Sequence, residues 1–233
     1  MRLPVLASAT CRLSDEFRVI SWDAPGAGRS DEPPDECTLA DWSRYLERFL
    51  NALGIRQAHL VGLSWGGVLA QEFYRRHADR VSRLVLADTY AGWKGSFSPS
   101  VVEQRLSRCE RDSYLTPAEF AARWAPEMFS PAAPPSLLAE MAAVFADFHP
   151  HGFRLMARSL ADTDTRGILP TIKVPTLLLW GEHDARSPLS VAQLLQRGIP
   201  RAELQIIPQA GHVSNMERAE TFNALVRRFC SAA

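Results

Sequence analysis

Residues 60–68, LVGLSWGGV, decide how the rest of the chain is to be read. Within them Gly62-Leu63-Ser64-Trp65-Gly66 fits G-x-S-x-G, and Gly67 adds a third glycine. An apolar, β-prone run over 58–63 leads in, and a helical run over 68–77 leads out. The spacing therefore places Ser64 on a sharp turn from strand to helix, with its hydroxyl lifted off the sheet edge. Gly62 and Gly66 are expected to leave room for that turn. The N-terminal N–H groups of the new helix would face negative charge developing at the serine. Without the flanking strand and helix, the same five positions read as an ordinary small-residue turn.

Outward from this stretch, the chain alternates. Residues 17–22 (FRVISW) read as a short strand, followed by a Gly/Pro loop at 23–30 (DAPGAGRS). Gly26 and Gly28 do not make a dinucleotide fingerprint: the third glycine is absent, and Pro33-Pro34 stands where a phosphate-binding helix would begin. Thr38 or Asp41 can cap a helix to about Leu53, with Leu39, Trp42, Leu46, Phe49, Leu50 and Leu53 on one face and Gly54 closing it. Residues 81–87 (VSRLVLA) form another buried-type strand. This order predicts an α/β protein with a mostly parallel sheet and crossover helices.

From 91 to 169 no strand is predicted. Helices are expected near 99–112, 117–129, 135–148 and 152–161, divided by Pro-rich joints, as a helical lid inserted in the core. Alternation then resumes with a strand at 176–180 (TLLLW), a helix at 188–198, a strand at 204–207 and a closing amphipathic helix at 217–230. The expected division is thus 1–90 and 170–233 for two parts of one core, with 91–169 as the lid.

The 233 residues suit one such domain. Lys+Arg and Asp+Glu both number 26, so neither nucleic acid nor an anionic membrane is an implied partner. No apolar run approaches a membrane span, and the first residues lack the apolar core of a signal peptide, which predicts a cytoplasmic protein. Cys11, Cys37, Cys109 and Cys230 show no metal-ligand spacing and read as buried or idle thiols.

A serine hydroxyl is a weak nucleophile and needs a base, which in turn needs an orienting acid. Function in parallel sheets gathers at strand carboxyl ends. Asp184 lies in the loop just past the 176–180 strand and is the first acid candidate, with Glu182 and then Asp88 as rivals. His212 follows Gly211 in the loop after a late strand and is the candidate base. His183 adjoins Asp184 too closely to be its partner. His59 and His77 read as structural, while His149 and His151 could line a lid pocket. The resulting order is Ser64, Asp184, His212.

The motifs DAPGAGRSD (23–31), GLSWGG (62–67), GEHD (181–184) and GH (211–212) resemble those of the α/β-hydrolase superfamily, in its lid-bearing branch of esterases, lactonases and peptidases. The resemblance runs from about Phe17 to the end. It implies Ser64 as nucleophile, Asp184 as acid, His212 as base, the Trp65 N–H as one oxyanion donor, and no metal or organic cofactor. The expected activity is hydrolysis of an ester-like bond, in a carboxylic ester or lactone of a small molecule, through an acyl-enzyme on Ser64. The same three residues also serve acyl transfer, C–C hydrolysis or perhydrolysis. The lid aromatics Trp93, Phe97, Trp124, Phe129, Phe145, Phe148 and Phe153 fit either an apolar pocket or the lid's own core.

One departure stands out. Members of the superfamily carry further strands ahead of residue 17, with an HG-type loop whose N–H is the second oxyanion donor, and no such motif precedes Phe17. Loss of one oxyanion donor costs about 10²–10³ in rate. The sequence therefore predicts a start upstream of Met1 or a truncated, weakly active or non-enzymatic relative, with an exposed sheet edge able to pair with another copy. The substrate and the oligomeric state are left open.

Overall fold

The computed structural model describes residues 13–232; the N-terminal segment, with Cys11 and the expectations placed on it, lies outside them. Among the described residues, four strands form one parallel sheet in the order β1 (Ala58–Leu63), β2 (Val81–Ala87), β3 (Thr176–Gly181), β4 (Ala202–Ile207). Each connection crosses over through helix, as parallel pairing requires. Helix α1 (Leu39–Ala52) precedes β1, and α2 (Trp65–Arg76) joins β1 to β2. Five helices lie between β2 and β3: α3 (Trp93–Ser96), α4 (Pro99–Asp112), α5 (Pro117–Trp124), α6 (Pro135–Phe145) and α7 (Pro150–Asp162). Helix α8 (Leu189–Gly198) joins β3 to β4, and α9 (Ser214–Glu217) and α10 (Ala219–Ser231) follow.

The central strands are continuous apolar runs because both their faces are covered. Leu84, Leu86, Leu178 and Trp180 face one core, which also holds Trp42, Val68, Phe73 and Leu195 from α1, α2 and α8. Val85, Ala87, Leu177 and Leu179 face the other, against Phe222 and Val226 of α10. The alternation is the period-2 of a strand. β1 and β4 are the outer strands among the described residues, and Val61 of β1 is 50% exposed.

The strand expected at 17–22 does not form. Trp22 packs on Phe49 at 5.9 Å and Phe17 on His59 at 6.3 Å, so the segment runs along the molecule with its aromatic residues engaged and Ile20 exposed. It pairs with no strand among the described residues, however. A β-strand is defined by ladder hydrogen bonds to a neighbour, which β propensity alone does not supply.

Other local expectations form as the residues dictate. Thr38 caps α1, accepting from the Asp41 N–H while Asp41 accepts from the Thr38 N–H at 2.9 Å. The 23–30 loop is a tight turn, closed by Gly26 N–H to Asp31 O at 2.9 Å and tied to α1 by Trp42 Nε1 to Pro25 O at 3.0 Å. His149 spans from this loop to the helical block, with one ring nitrogen 2.9 Å from Gly28 O and the other 2.9 Å from Glu32.

The aromatic residues of that block divide in two. Phe120, Trp124, Phe145, Phe148 and Phe153 pack on one another, with centroids 4.1–5.5 Å apart. Trp93 and Phe97 pack instead around Tyr90, beyond the end of β2.

Candidate active site

Ser64 joins β1 to α2 with φ 53° and ψ −119°, a conformation that L-residues avoid. It is held there from three sides. Its N–H donates to Ala87 O at 2.9 Å, and its carbonyl accepts from Gly67 N–H at 3.0 Å and from the Thr89 hydroxyl. A Cβ on Gly62 would sit 2.4 Å from Gly66 O, and one on Gly67 2.4 Å from Thr89 Oγ1. A Cβ on Gly66 would meet nothing within 4 Å. The expectation that Gly66 makes room is therefore corrected: the close approaches are at Gly62 and Gly67.

The structure brings Ser64, His212 and Asp184 together. His212 Nε2 lies 2.9 Å from Ser64 Oγ, and His212 Nδ1 lies 2.9 Å from Asp184 Oδ2. Asp184 Oδ1 accepts the N–H groups of Arg186 at 2.8 Å and Ser187 at 2.9 Å. Both His212 and Asp184 are buried. Burial lowers the proton affinity of His212 below the ordinary 6.5; the Asp184 charge opposes this, and the Arg186 and Arg105 charges add to it. A neutral imidazole beside a hydroxyl can take its proton, and a carboxylate on the far nitrogen fixes the tautomer that does so. Trp65 is the first residue of α2, where a backbone N–H has no intrahelical acceptor. Its indole donates to Ser159 Oγ at 2.9 Å.

The rivals fall elsewhere. Glu182 accepts the Gln209 N–H at 2.9 Å, bracing the turn before His212. His183 is exposed and nearest to Glu182, His59 contacts Ser82, and His77 contacts Glu47. His151 lies 3.4 Å from Asp35 at the surface. Cys37, Cys109 and Cys230 are buried free thiols, each pushed up to about 11 by burial.

Asp88 stands just past β2 with φ 46° and is fully buried. Its Oδ1 accepts the Gly181 N–H at 2.7 Å and its Oδ2 the Ser214 hydroxyl at 2.5 Å. It thereby clamps the segment leading to Asp184 onto the segment leaving His212. Burial, reinforced by the Asp184 charge, pushes its carboxyl well above the usual carboxylate range. Asp88→Ala is expected to lower unfolding stability by about 2 kcal/mol or more, because two buried donors lose their acceptor. Asp88→Asn should lose much less, since its amide oxygen still serves Gly181 and Asn tolerates the left-handed backbone. Urea denaturation of both variants checks this; equal stability of Asp88→Ala and wild type would exclude the clamp.

Sequence reasoning missed Glu217. Its buried carboxyl group accepts the Gly211 N–H at 2.8 Å and the Ser130 N–H at 3.0 Å, and also bonds the Ser130 hydroxyl. It thus ties the residue before His212 to the helical block. No local pattern marks a carboxyl that joins a residue six positions away to one 87 positions away. Arg105, Arg186 and Tyr90 were missed for the same reason, although the Tyr90 ring stands 6.3 Å from that of His212.

A model described as the alpha/beta hydrolase family matches residues 3–225. A 2-hydroxymuconate semialdehyde hydrolase of Pseudomonas putida is 33% identical over 236 residues, spanning 95% of this chain and 80% of that protein. Among solved structures, a thermophilic esterase from Thermogutta terrifontis superposes with a TM-score of 0.89 at 30% identity, covering 98% of this chain and 85% of the other. The enol-lactonase from Burkholderia xenovorans LB400 gives 0.87 at 29% identity, covering 99% and 87%.

Proposed function

The chain belongs to the alpha/beta hydrolase family, and from that premise we propose that it hydrolyses an ester-like bond of a small molecule through an acyl-enzyme on Ser64. The observation that carries this is the hydrogen-bonded line Ser64 Oγ, His212, Asp184, with 2.9 Å at each step. In the proposed cycle Ser64 Oγ attacks the carbonyl carbon as His212 Nε2 takes its proton. Asp184 holds the imidazole and stabilises its positive form. The Trp65 N–H donates to the oxyanion. The imidazolium then passes the proton to the leaving oxygen. Water, deprotonated by His212, attacks the acyl carbon, and Ser64 recovers its proton as it departs.

A carboxylic ester or a lactone fits this cycle, and the esterase and enol-lactonase neighbours favour both. The similarity to a 2-hydroxymuconate semialdehyde hydrolase favours a second reading, C–C hydrolysis with the same three residues.

A fluorophosphonate probe tests the nucleophile. Ser64 should be labelled, and Ser64→Ala should not be. Because His212 acts as base only when neutral, and its proton affinity is lowered below 6.5, the acid limb of the labelling rate should be centred below pH 6.5. Absence of labelling in folded protein would sink the reading, and an acid limb centred above pH 6.5 would contradict the buried-base account.

A further inference from the structure

Two guanidinium groups stand beside the candidate base with too little negative charge to answer them. The Arg105 guanidinium carbon lies 4.1 Å from the Phe97 centroid, 5.7 Å from Trp93 and 5.8 Å from Tyr90. It donates to a neutral acceptor, the backbone carbonyl of Arg186 at 2.7 Å, and no carboxylate pairs with it among the described residues. The Tyr90 hydroxyl donates to that same carbonyl at 3.3 Å. The Arg186 side chain is 17% exposed, lies over Trp124 at 4.7 Å, and reaches Glu127 only at 3.6 Å. Its Nε is buried without an acceptor. Glu127 is already taken by Arg108, in a bidentate pair at 2.6 and 2.9 Å. Asp112 is shared among Arg108, Arg111 and Arg123, and Asp184 is engaged by His212.

This surplus of positive charge opposes the imidazolium that a serine hydrolase forms in its transition state. Both arginines lie close enough to His212 to lower its proton affinity. An anion seated between them would cancel that penalty and give the Arg186 Nε–H an acceptor. Planar guanidinium groups on aromatic walls, one donor still free, suit a carboxylate. We propose that the substrate is an acid, carrying a carboxylate a few bonds from the scissile carbonyl, and that Arg105 and Arg186 receive it. The inference rests on the serine-hydrolase reading and narrows it to anionic esters and lactones.

The test compares p-nitrophenyl hemisuccinate and hemiglutarate with p-nitrophenyl 4-methylpentanoate, in which an isopropyl group stands where the hemisuccinate has its carboxylate. The readout is the ratio of kcat/KM, anionic over neutral, which cancels any general effect on His212. Wild type should favour an anionic ester. Arg105→Gln and Arg186→Gln should each lower the ratio by about 10- to 100-fold, with Arg105→Lys restoring part of it. A ratio unchanged within about twofold in both Gln variants would overturn the proposal. If no ester is cleaved in a Ser64-dependent way, the hydrolase reading fails, and binding then decides the anion site by itself. Monomethyl glutarate titrated into Ser64→Ala protein should bind, and adding Arg105→Gln should weaken it by a similar factor. Absence of binding at millimolar ligand, or binding indifferent to both arginines, would likewise overturn it.

Discussion

Ser64→Ala is expected to lower kcat/KM toward a p-nitrophenyl ester by about 10⁴–10⁶-fold, and His212→Ala by a similar factor. The two residues act as one unit, because the hydroxyl attacks only as Nε2, 2.9 Å away, takes its proton. Once either is gone, the other has nothing to contribute. The double variant should therefore be no slower than the single ones, within a few fold. Steady-state kinetics of the three variants check this. Losses that multiply in the double variant, or a Ser64→Ala protein retaining more than about a hundredth of the activity, would mean that turnover does not pass through this pair. The Ser64→Ala protein should stay folded. The backbone bonds to Ala87 and Gly67 that hold the turn do not use the side chain.

Asp184→Asn should cost about 10⁴-fold in kcat/KM, for a reason legible in the acceptor pattern. Oδ1 is pinned by two backbone donors, the N–H groups of Arg186 and Ser187. In the amide, only the oxygen can occupy that position, since an NH₂ there would oppose two donors. The NH₂ is thereby turned toward His212 Nδ1, which must then accept. The imidazole proton moves to Nε2, and a protonated Nε2 cannot take the Ser64 proton. The same geometry predicts little change in thermal stability, because both backbone bonds survive. Kinetics and a melting curve on the one variant separate these effects. A loss below about tenfold would place the orienting acid elsewhere, with Asp88 as the next carboxyl group to test.

That comparison marks how far the chain could be read without its fold. Asp184 and Asp88 both follow strands; the loop position ranks Asp184 first on sequence alone, and the fold shows which of them meets His212. Folding gives the two carboxyl groups different partners. Asp88 Oδ1 is taken by the Gly181 N–H and Oδ2 by Ser214, whereas Asp184 extends past β3 to reach His212. The helical block was legible as helices, because Pro, caps and spacing act within a few residues. Which of its aromatics pack together and which stand near the base was not legible, since that depends on how separate helices meet.

By itself, then, the sequence determined the strand–turn–helix at Ser64, the α/β alternation around it and the order Ser64, Asp184, His212. Each of these depends on local spacing, backbone preference and position at a strand end. Only the tertiary structure decided the rest. The 17–22 segment meets no strand among the described residues, so its β propensity goes unrealised there. The crowding at the serine turn falls on Gly67 and not on Gly66, because Thr89 approaches from beyond β2. Arg105 and Tyr90 come to share the backbone carbonyl of Arg186, 81 and 96 positions away in the chain. Such facts are set by distance in space, which a linear pattern does not encode.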